Sequence, residues 1–476
     1  MAKANPKKKK AAAKKPASKK KASPAPKASK APKASKPSKP SKASPPRTSH
    51  KPAPPPVVNS LSAPAAAGPG GRHFAELKPV SEGPWTDNNS TTFFNSPYYN
   101  KNAVTAVPPM QNGSDGVLTL DEIIGADAVN KIRANGKLVF HSVGDTGDTT
   151  HTKYEADEMP VAEMMVNDVE DPNQANRAAF LFHLGDIIYQ FGDEPSFYYE
   201  QFYEPYRTYN APIFAIPGNH DGMTHKQNET PLQPFLDNFC VSTPSASPDA
   251  QGLIRDRMTQ PGVYFTLDAP FVSIIGLYSN VLDGYPGGII SNYKGKYPAI
   301  SNAQLDFLQS ELTRLKALRA TTNTAILIAV HHPPYASAVS KGGSPMLIDD
   351  MDKIFNATGV WPDAVLSGHT HHYERWTRNV NGHEIPYVVA GCGGYNIKPL
   401  RTAPTISTTA VAPGSQALRN YLPSYGYLKI SVNASRLAIA LNSTNQQYGA
   451  GADTVLVDLN AHKIIREGKG DPNALT

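Results

Sequence analysis

From Thr119 onward the apolar positions fall into short, mostly continuous runs: Leu138–Phe140, Ala178–Leu184, Ile213–Ile216, Phe271–Leu277, Thr324–Val330, Ala364–Leu366 and Ile385–Ala390. They are rich in Val, Ile and Phe and seldom alternate with polar residues, which is the pattern of strands buried on both faces. Helical periodicity lies between them. One helix is expected from Leu120 to about Ala134, with Asp121 and Glu122 in the first turn, where the helix dipole favours acid. Another is expected over Ser301–Ala320, where Leu305, Leu308, Leu312 and Leu315 share a face and Ser301 and Gln304 have capping-box spacing. Strands alternating with helices predict an α/β fold. Near the end, Gly426–Val432 and Leu437–Leu441, joined through Asn433–Arg436, read as a β-hairpin, and Thr454–Leu459 as a further strand.

Upstream the texture changes twice, and charge shows where. Of the 476 residues, the first 60 carry 18 Lys+Arg and no acid, while the chain as a whole has 47 Lys+Arg and 40 Asp+Glu. The remainder therefore holds 29 basic and 40 acidic groups (47 − 18 = 29), a mildly acidic domain behind a basic tail. Residues 1–60, built from Lys, Ala, Pro and Ser, have too little apolar surface to offset the entropy of folding, and a disordered tail is expected. It reads either as a polyanion-binding segment, resembling the tails of linker histones, or as a solubilising spacer. Residues 61–118 read as an irregular lead-in and 119–476 as the folded domain. Met1–Lys20 has charge without an apolar segment behind it, so no secretory signal is expected and the location expected is cytoplasmic. The longest aliphatic run, Ala325–Val330, falls far short of the ~18 residues a membrane span needs. Two cysteines, Cys240 and Cys392, exclude a disulfide framework and a four-thiolate zinc module, and leave open whether they pair.

The chemistry sits where the expected strands end. Five runs lead into compact polar clusters: Gly144-Asp145-Thr146-Gly147-Asp148, Gly185-Asp186-Ile187-Ile188-Tyr189, Gly218-Asn219-His220-Asp221, His331-His332-Pro333-Pro334, and Gly368-His369-Thr370-His371-His372-Tyr373-Glu374-Arg375. In α/β sheets the loops at carboxyl ends converge on ligands, and adjacent glycines permit close approach. Carboxylate, phenol, amide and imidazole without thiol suit Fe, Mn, Zn or Mg. Asp145, Asp186, Tyr189, Asn219, His331, His369 and His371 make seven donors. If Asp186 bridges, two ions receive four protein ligands each, an arrangement that activates water and clamps a phosphate ester.

This ordered set resembles the calcineurin-like metallophosphoesterase superfamily, and within it the purple acid phosphatases. Ordinary members open with Asp-x-His, whereas Gly147 stands two after Asp145 and Tyr189 stands three after Asp186, as in the purple enzymes. The resemblance covers about Leu138–Leu400 and implies a four-layer α/β/β/α sandwich. It implies one ion held by Asp145, Tyr189, His371 and bridging Asp186, and a second held by Asp186, Asn219, His331 and His369. The first would be ferric and the second Zn, Mn or ferrous iron. The implied activity is hydrolysis of phosphate monoesters by in-line attack of a metal-bound hydroxide, with His220 binding the phosphate and helping to protonate the leaving oxygen. His332 is expected to face elsewhere. His141 and His183 are expected to be structural. Asp148, Tyr335, Tyr373 and the Gly391–Gly394 loop are each expected either to line the pocket or to be scaffold.

The chain departs from the plant-type pattern in carrying Phe191 two after the motif tyrosine and in lacking histidines over Tyr335–Met346. An insertion from Met223 to about Gln260, which holds Cys240, could cover the site and narrow access. Two other functions compete: a phosphodiesterase or nuclease delivered to nucleic acid by the tail, and a nucleic-acid-binding protein with an inactive phosphoesterase domain.

Overall fold

The computed structural model describes residues 106–475 apart from 112, 148–156, 194, 225–228, 254, 280–286, 339–341, 472 and 474. The basic tail, most of the lead-in and Asp148 lie outside the described residues. In chain order the strands are β1 (Val117–Thr119), β2 (Leu138–Val143), β3 (Ala178–His183), β4 (Ile213–Ala215), β5 (Phe265–Ala269), β6 (Val272–Leu277), β7 (Ala325–Val330) and β8 (Ala364–Ser367). They continue with β9 (Tyr373–Val380), β10 (His383–Ala390), β11 (Ser415–Leu422), β12 (Gly426–Val432), β13 (Arg436–Ser443), β14 (Asp453–Asp458) and β15 (Lys463–Gly468). Among the described residues they form an eight-stranded sheet, β1-β5-β6-β7-β8-β10-β9-β11, and a seven-stranded sheet, β15-β14-β13-β12-β2-β3-β4.

The continuous apolar runs are continuous because both faces of each strand are covered. Ile275 and Leu277 of β6 and Ile326, Ile328 and Val330 of β7 pack on the leucine face of the helix Ala303–Arg319 and on the helix Pro345–Thr358. The alternate residues, Ile274, Leu327 and Ala329, join Phe180, Phe182, Leu428 and Ile430 of the second sheet in one core. Phe182 and Phe265 stack across that interface, 5.9 Å between centroids. The outer face of the second sheet carries the helix Glu158–Val169, whose Asp168 meets His141 of β2 and Lys429 of β12. Helix, sheet, sheet and helix make the four-layer sandwich that the resemblance implies. Leu312 lies fully buried between layers, where truncation to alanine costs ~2–5 kcal/mol.

Local structure departs from expectation in three places. Gly125, at φ 85 and ψ 151, splits the expected first helix into Leu120–Ile124 and Ala126–Ala134. The later helix begins at Ala303, because Gln304 does not cap it with Ser301. Its amide instead pairs with the N–H (2.9 Å) and C=O (2.8 Å) of Tyr278 at the end of β6. The lead-in is not irregular to its end, since Val117–Thr119 pairs in parallel with β5. Cys240 and Cys392 are free thiols. The described part of the 223–260 segment seals the edge of β4: the Gln260 amide satisfies both backbone groups of Ala215, and Arg255 donates to the carbonyls of Tyr206, Tyr209 and Ala211. No helix among the described residues is long and apolar enough to cross a membrane.

Candidate metal centre

β2, β3 and β4 run parallel in one sheet, β7 and β8 in the other, and their carboxyl ends meet. Asp145 follows β2, Asp186 and Tyr189 follow β3, Asn219 and His220 follow β4, His331 follows β7, and His369 and His371 follow β8. Main-chain bonds lock these loops together, with Gly144 N–H donating to Ala390 O at 3.0 Å and Gly368 N–H to His331 O at 2.9 Å. Four of the expected ligands hold left-handed backbone: Asp145 (φ 56), Asp186 (φ 54), His369 (φ 73) and His371 (φ 48). Such conformations cost ~1–3 kcal/mol each and persist where the surroundings impose them, as at binding sites. The glycines beside them are there for space. A Cβ on Gly368 or Gly391 would lie 2.5 or 2.6 Å from Asp145 Oδ2, and one on Gly218 would lie 2.1 Å from Asp186 Oδ1.

The structure brings all seven expected donors together, each buried. In one group the Tyr189 hydroxyl donates to Asp145 Oδ1 and Asp186 Oδ2, both at 3.0 Å, and His371 Nε2 lies 3.4 Å from Asp145 Oδ1. In the other, His331 Nε2 lies 3.2 Å from both Asp186 Oδ2 and Asn219 Oδ1, and His369 Nδ1 lies 2.9 Å from Asn219 Oδ1. Asp186 Oδ2 belongs to both groups. Donor atoms of Asp186, His331 and His369 all fall within 4.8 Å of one another.

The electrostatics of this arrangement call for a cation. His331 Nδ1–H donates to Leu184 O at 2.8 Å, which leaves Nε2 facing two oxygens. Burial works against charging this ring, but Asp186 and Asp145 outweigh burial and hold its pKa up at about 9. Burial, then Asp145 and Asp186, push the Tyr189 phenol well above its ordinary value. Protons thus occupy the places where oxygen and nitrogen donors face each other, and metal ions fit the same places. The residues present match the metal pair that the resemblance implies.

Sequence reasoning missed Asp221. Its buried carboxylate accepts the backbone N–H groups of Asp186 (2.9 Å), Ile187 (3.1 Å), Ile188 (3.3 Å) and Gly218 (2.7 Å), and so shapes the loop that presents Asp186 and Tyr189. The only sequence signal was its place at the end of Gly-Asn-His-Asp. His332 does not face elsewhere: its ring packs on His369, 4.2 Å between centroids, and is pinned through Nδ1 to Ser279 Oγ at 2.8 Å. His220 donates from Nδ1 to Gln190 O at 2.8 Å, while its N–H reaches Asp186 Oδ1 at 2.8 Å. Tyr373 and Tyr335 are scaffold, the first donating to Asp453 and the second packed on Trp376 and Tyr387. His183 bonds Thr146 Oγ1 at 2.9 Å, and His141 belongs to the Asp168 cluster.

Residues 140–373 match the family model for calcineurin-like phosphoesterases, a segment that holds every residue of the centre. The segment that carries the centre is of the calcineurin-like phosphoesterase family. Among solved structures it is similar to a purple acid phosphatase from yellow lupin (Lupinus luteus), at 17% identity and TM-score 0.47, covering 68% of this chain and 54% of that one. It thus spans just over half of the lupin protein. It is also similar to GAP50 of the Plasmodium inner membrane complex, at 14% identity and TM-score 0.45, covering 70% of this chain and 89% of that one. A dimetal phosphatase from Danio rerio follows, at 13% identity and TM-score 0.40, covering 68% of this chain and 99% of that one. No curated protein sequence matches it significantly.

Proposed function

We propose that this protein is a binuclear hydrolase of phosphate monoesters, of the purple acid phosphatase kind. The observation that carries this is the position of Asp186 Oδ2, shared between a group containing a phenol and a group containing an amide and two imidazoles. Asp145, Asp186, Tyr189 and His371 would hold one ion, and Asp186, Asn219, His331 and His369 the other. Two carboxylates and a phenolate are hard anionic donors suited to ferric iron, while the second set suits Zn, Mn or ferrous iron. Bound there, the ions would lower the pKa of water and neutralise the charge of the ester. His220, with Nδ1 tied to Gln190, addresses the phosphate through its other ring nitrogen and moves a proton to the leaving oxygen. The 18 basic residues of the tail would hold nucleic acid or another polyanion without reading sequence.

Two measurements test the reading: turnover of p-nitrophenyl phosphate against bis(p-nitrophenyl) phosphate, and the visible spectrum of wild type and Tyr189→Phe. Faster monoester cleavage and a band that disappears with the phenol support it. Faster diester cleavage would favour the phosphodiesterase reading. A colourless enzyme, fully active with two zinc or manganese ions and indifferent to Tyr189→Phe, would remove the ferric assignment.

A further inference from the structure

Tyr395 touches more of the centre than any motif residue would suggest. Its ring stacks on Tyr189, with centroids 3.8 Å apart and planes 8° apart, and stands perpendicular to His371 at 4.9 Å. Its backbone N–H donates to Asp145 O at 2.9 Å. Its hydroxyl accepts from Gln190 Nε2 at 2.5 Å, and the carbonyl of the same Gln190 takes the Nδ1–H of His220 at 2.8 Å. The Gly391-Cys392-Gly393-Gly394 loop is what brings the ring so close. A Cβ on Gly393 would lie 2.4 Å from Thr146 Cγ2, and one on Gly394 would lie 2.1 Å from Thr146 O.

We propose that Tyr395 is a positioning residue of the metal centre: its ring fixes the Tyr189 phenol and the His371 imidazole at one angle, and its hydroxyl steadies His220 through Gln190. The proposal rests on the ligand roles given above to Tyr189 and His371. Two geometric facts separate it from plain packing. Stacking at 8° leaves the phenol a single ring plane, while the perpendicular contact constrains the imidazole independently. A ring alone would not require the hydroxyl, yet the hydroxyl is bonded to a residue whose carbonyl also holds His220. Groups that orient metal ligands from behind typically change metal affinity or activity by about 10–100-fold when removed.

The test uses the full chain as wild type, Tyr395→Leu and Tyr395→Phe, each loaded with iron and zinc. Ions retained per chain after a fixed chelator challenge, the visible spectrum, and kcat and KM for p-nitrophenyl phosphate are read separately. Tyr395→Leu is expected to lose the ion at the Tyr189 side about 10-fold faster and to shift or broaden any phenolate band. Tyr395→Phe is expected to keep both ions and the band but to lower kcat several-fold with KM unchanged, since the ring stays and the link to His220 through Gln190 is cut. Should the leucine variant fail to fold, Tyr395→Phe and Gln190→Ala carry the test, the latter expected to repeat the kcat loss. Variants that match wild type in ion retention, spectrum and kcat would overturn the proposal, as would a phenylalanine variant identical to wild type, which would reduce the role to packing. A wild-type protein that binds no metal would instead overturn the ligand reading beneath it.

Discussion

The carboxylate of Asp221 accepts the backbone N–H of Asp186 at 2.9 Å, so one buried acid shapes the loop that presents another. Burial and the nearby Asp186 push the Asp221 carboxyl up to about 7, while backbone donors pull against that rise. Its cost is tolerated because four N–H groups would otherwise be orphaned between the sheets.

Asp221→Ala removes that acceptor, and each buried donor left unsatisfied costs ~1–3 kcal/mol. The variant is expected to lose roughly 3 kcal/mol or more in urea unfolding and to lose metal with it. Asp221→Asn, which keeps the shape and one acceptor oxygen, is expected to fall between. An alanine variant with wild-type stability and metal content would show that the loop holds its own shape.

A second prediction concerns pH, away from the centre. Burial raises the Asp168 carboxyl, but bonds from His141, Lys429 (2.7 Å) and Tyr427 (2.6 Å) outweigh burial and hold it at about 2. Burial pushes the His141 imidazole down, which leaves the Lys429 ammonium as the standing counter-charge. A folded pKa below the unfolded value of about 3.8 means that the stabilisation, about 2 kcal/mol, is full above that value and is lost as pH falls through about 2. The stability gap between wild type and Asp168→Asn should therefore shrink as pH falls below about 4, as read by urea unfolding at stepped pH.

The third prediction separates binding from rate. His220→Ala is expected to retain both ions, because its side chain bonds Gln190 O and is not among the seven donors, and to lose kcat by about 10²-fold or more. Loss of metal in that variant would move His220 into the donor set.

The centre was legible in the sequence because each half of it is local: a strand, a glycine, then a donor, repeated along the chain. The strands that carry it read clearly for the same reason, being buried on both faces. What was not legible is non-local. β9 looks too polar for a buried strand, yet Arg375 pairs with Asp453 and Glu467, and Arg378 with Asp352, partners far along the chain. β11 and β15 lie at sheet edges and stay partly exposed, so neither shows an apolar run. The helix Pro345–Thr358 did leave a local signal, with Ser344 as N-cap, Pro345 in the first turn and Gly359 at φ 68 as its stop. Asp221, His332 and Tyr395 act through contacts that only the meeting of loops creates.

A fourth prediction addresses the tail. Deleting residues 1–60, with their 18 positive charges, should abolish binding to DNA or RNA and leave turnover of a small phosphate ester unchanged. Binding by the full chain should weaken steeply as salt rises, because it rests on counterion release. A truncated protein that binds with the same salt slope would place that activity in the acidic domain.

The two-ion assignment depends on Asp186 as the shared ligand. Metal content of wild type and Asp186→Asn, measured by elemental analysis after identical purification and dialysis, tests it most directly. Two ions per chain in wild type and the loss of both in Asp186→Asn are expected, because the carboxylate oxygen common to both donor groups is gone. Full occupancy in Asp186→Asn, or a wild-type protein that holds no metal, would contradict it.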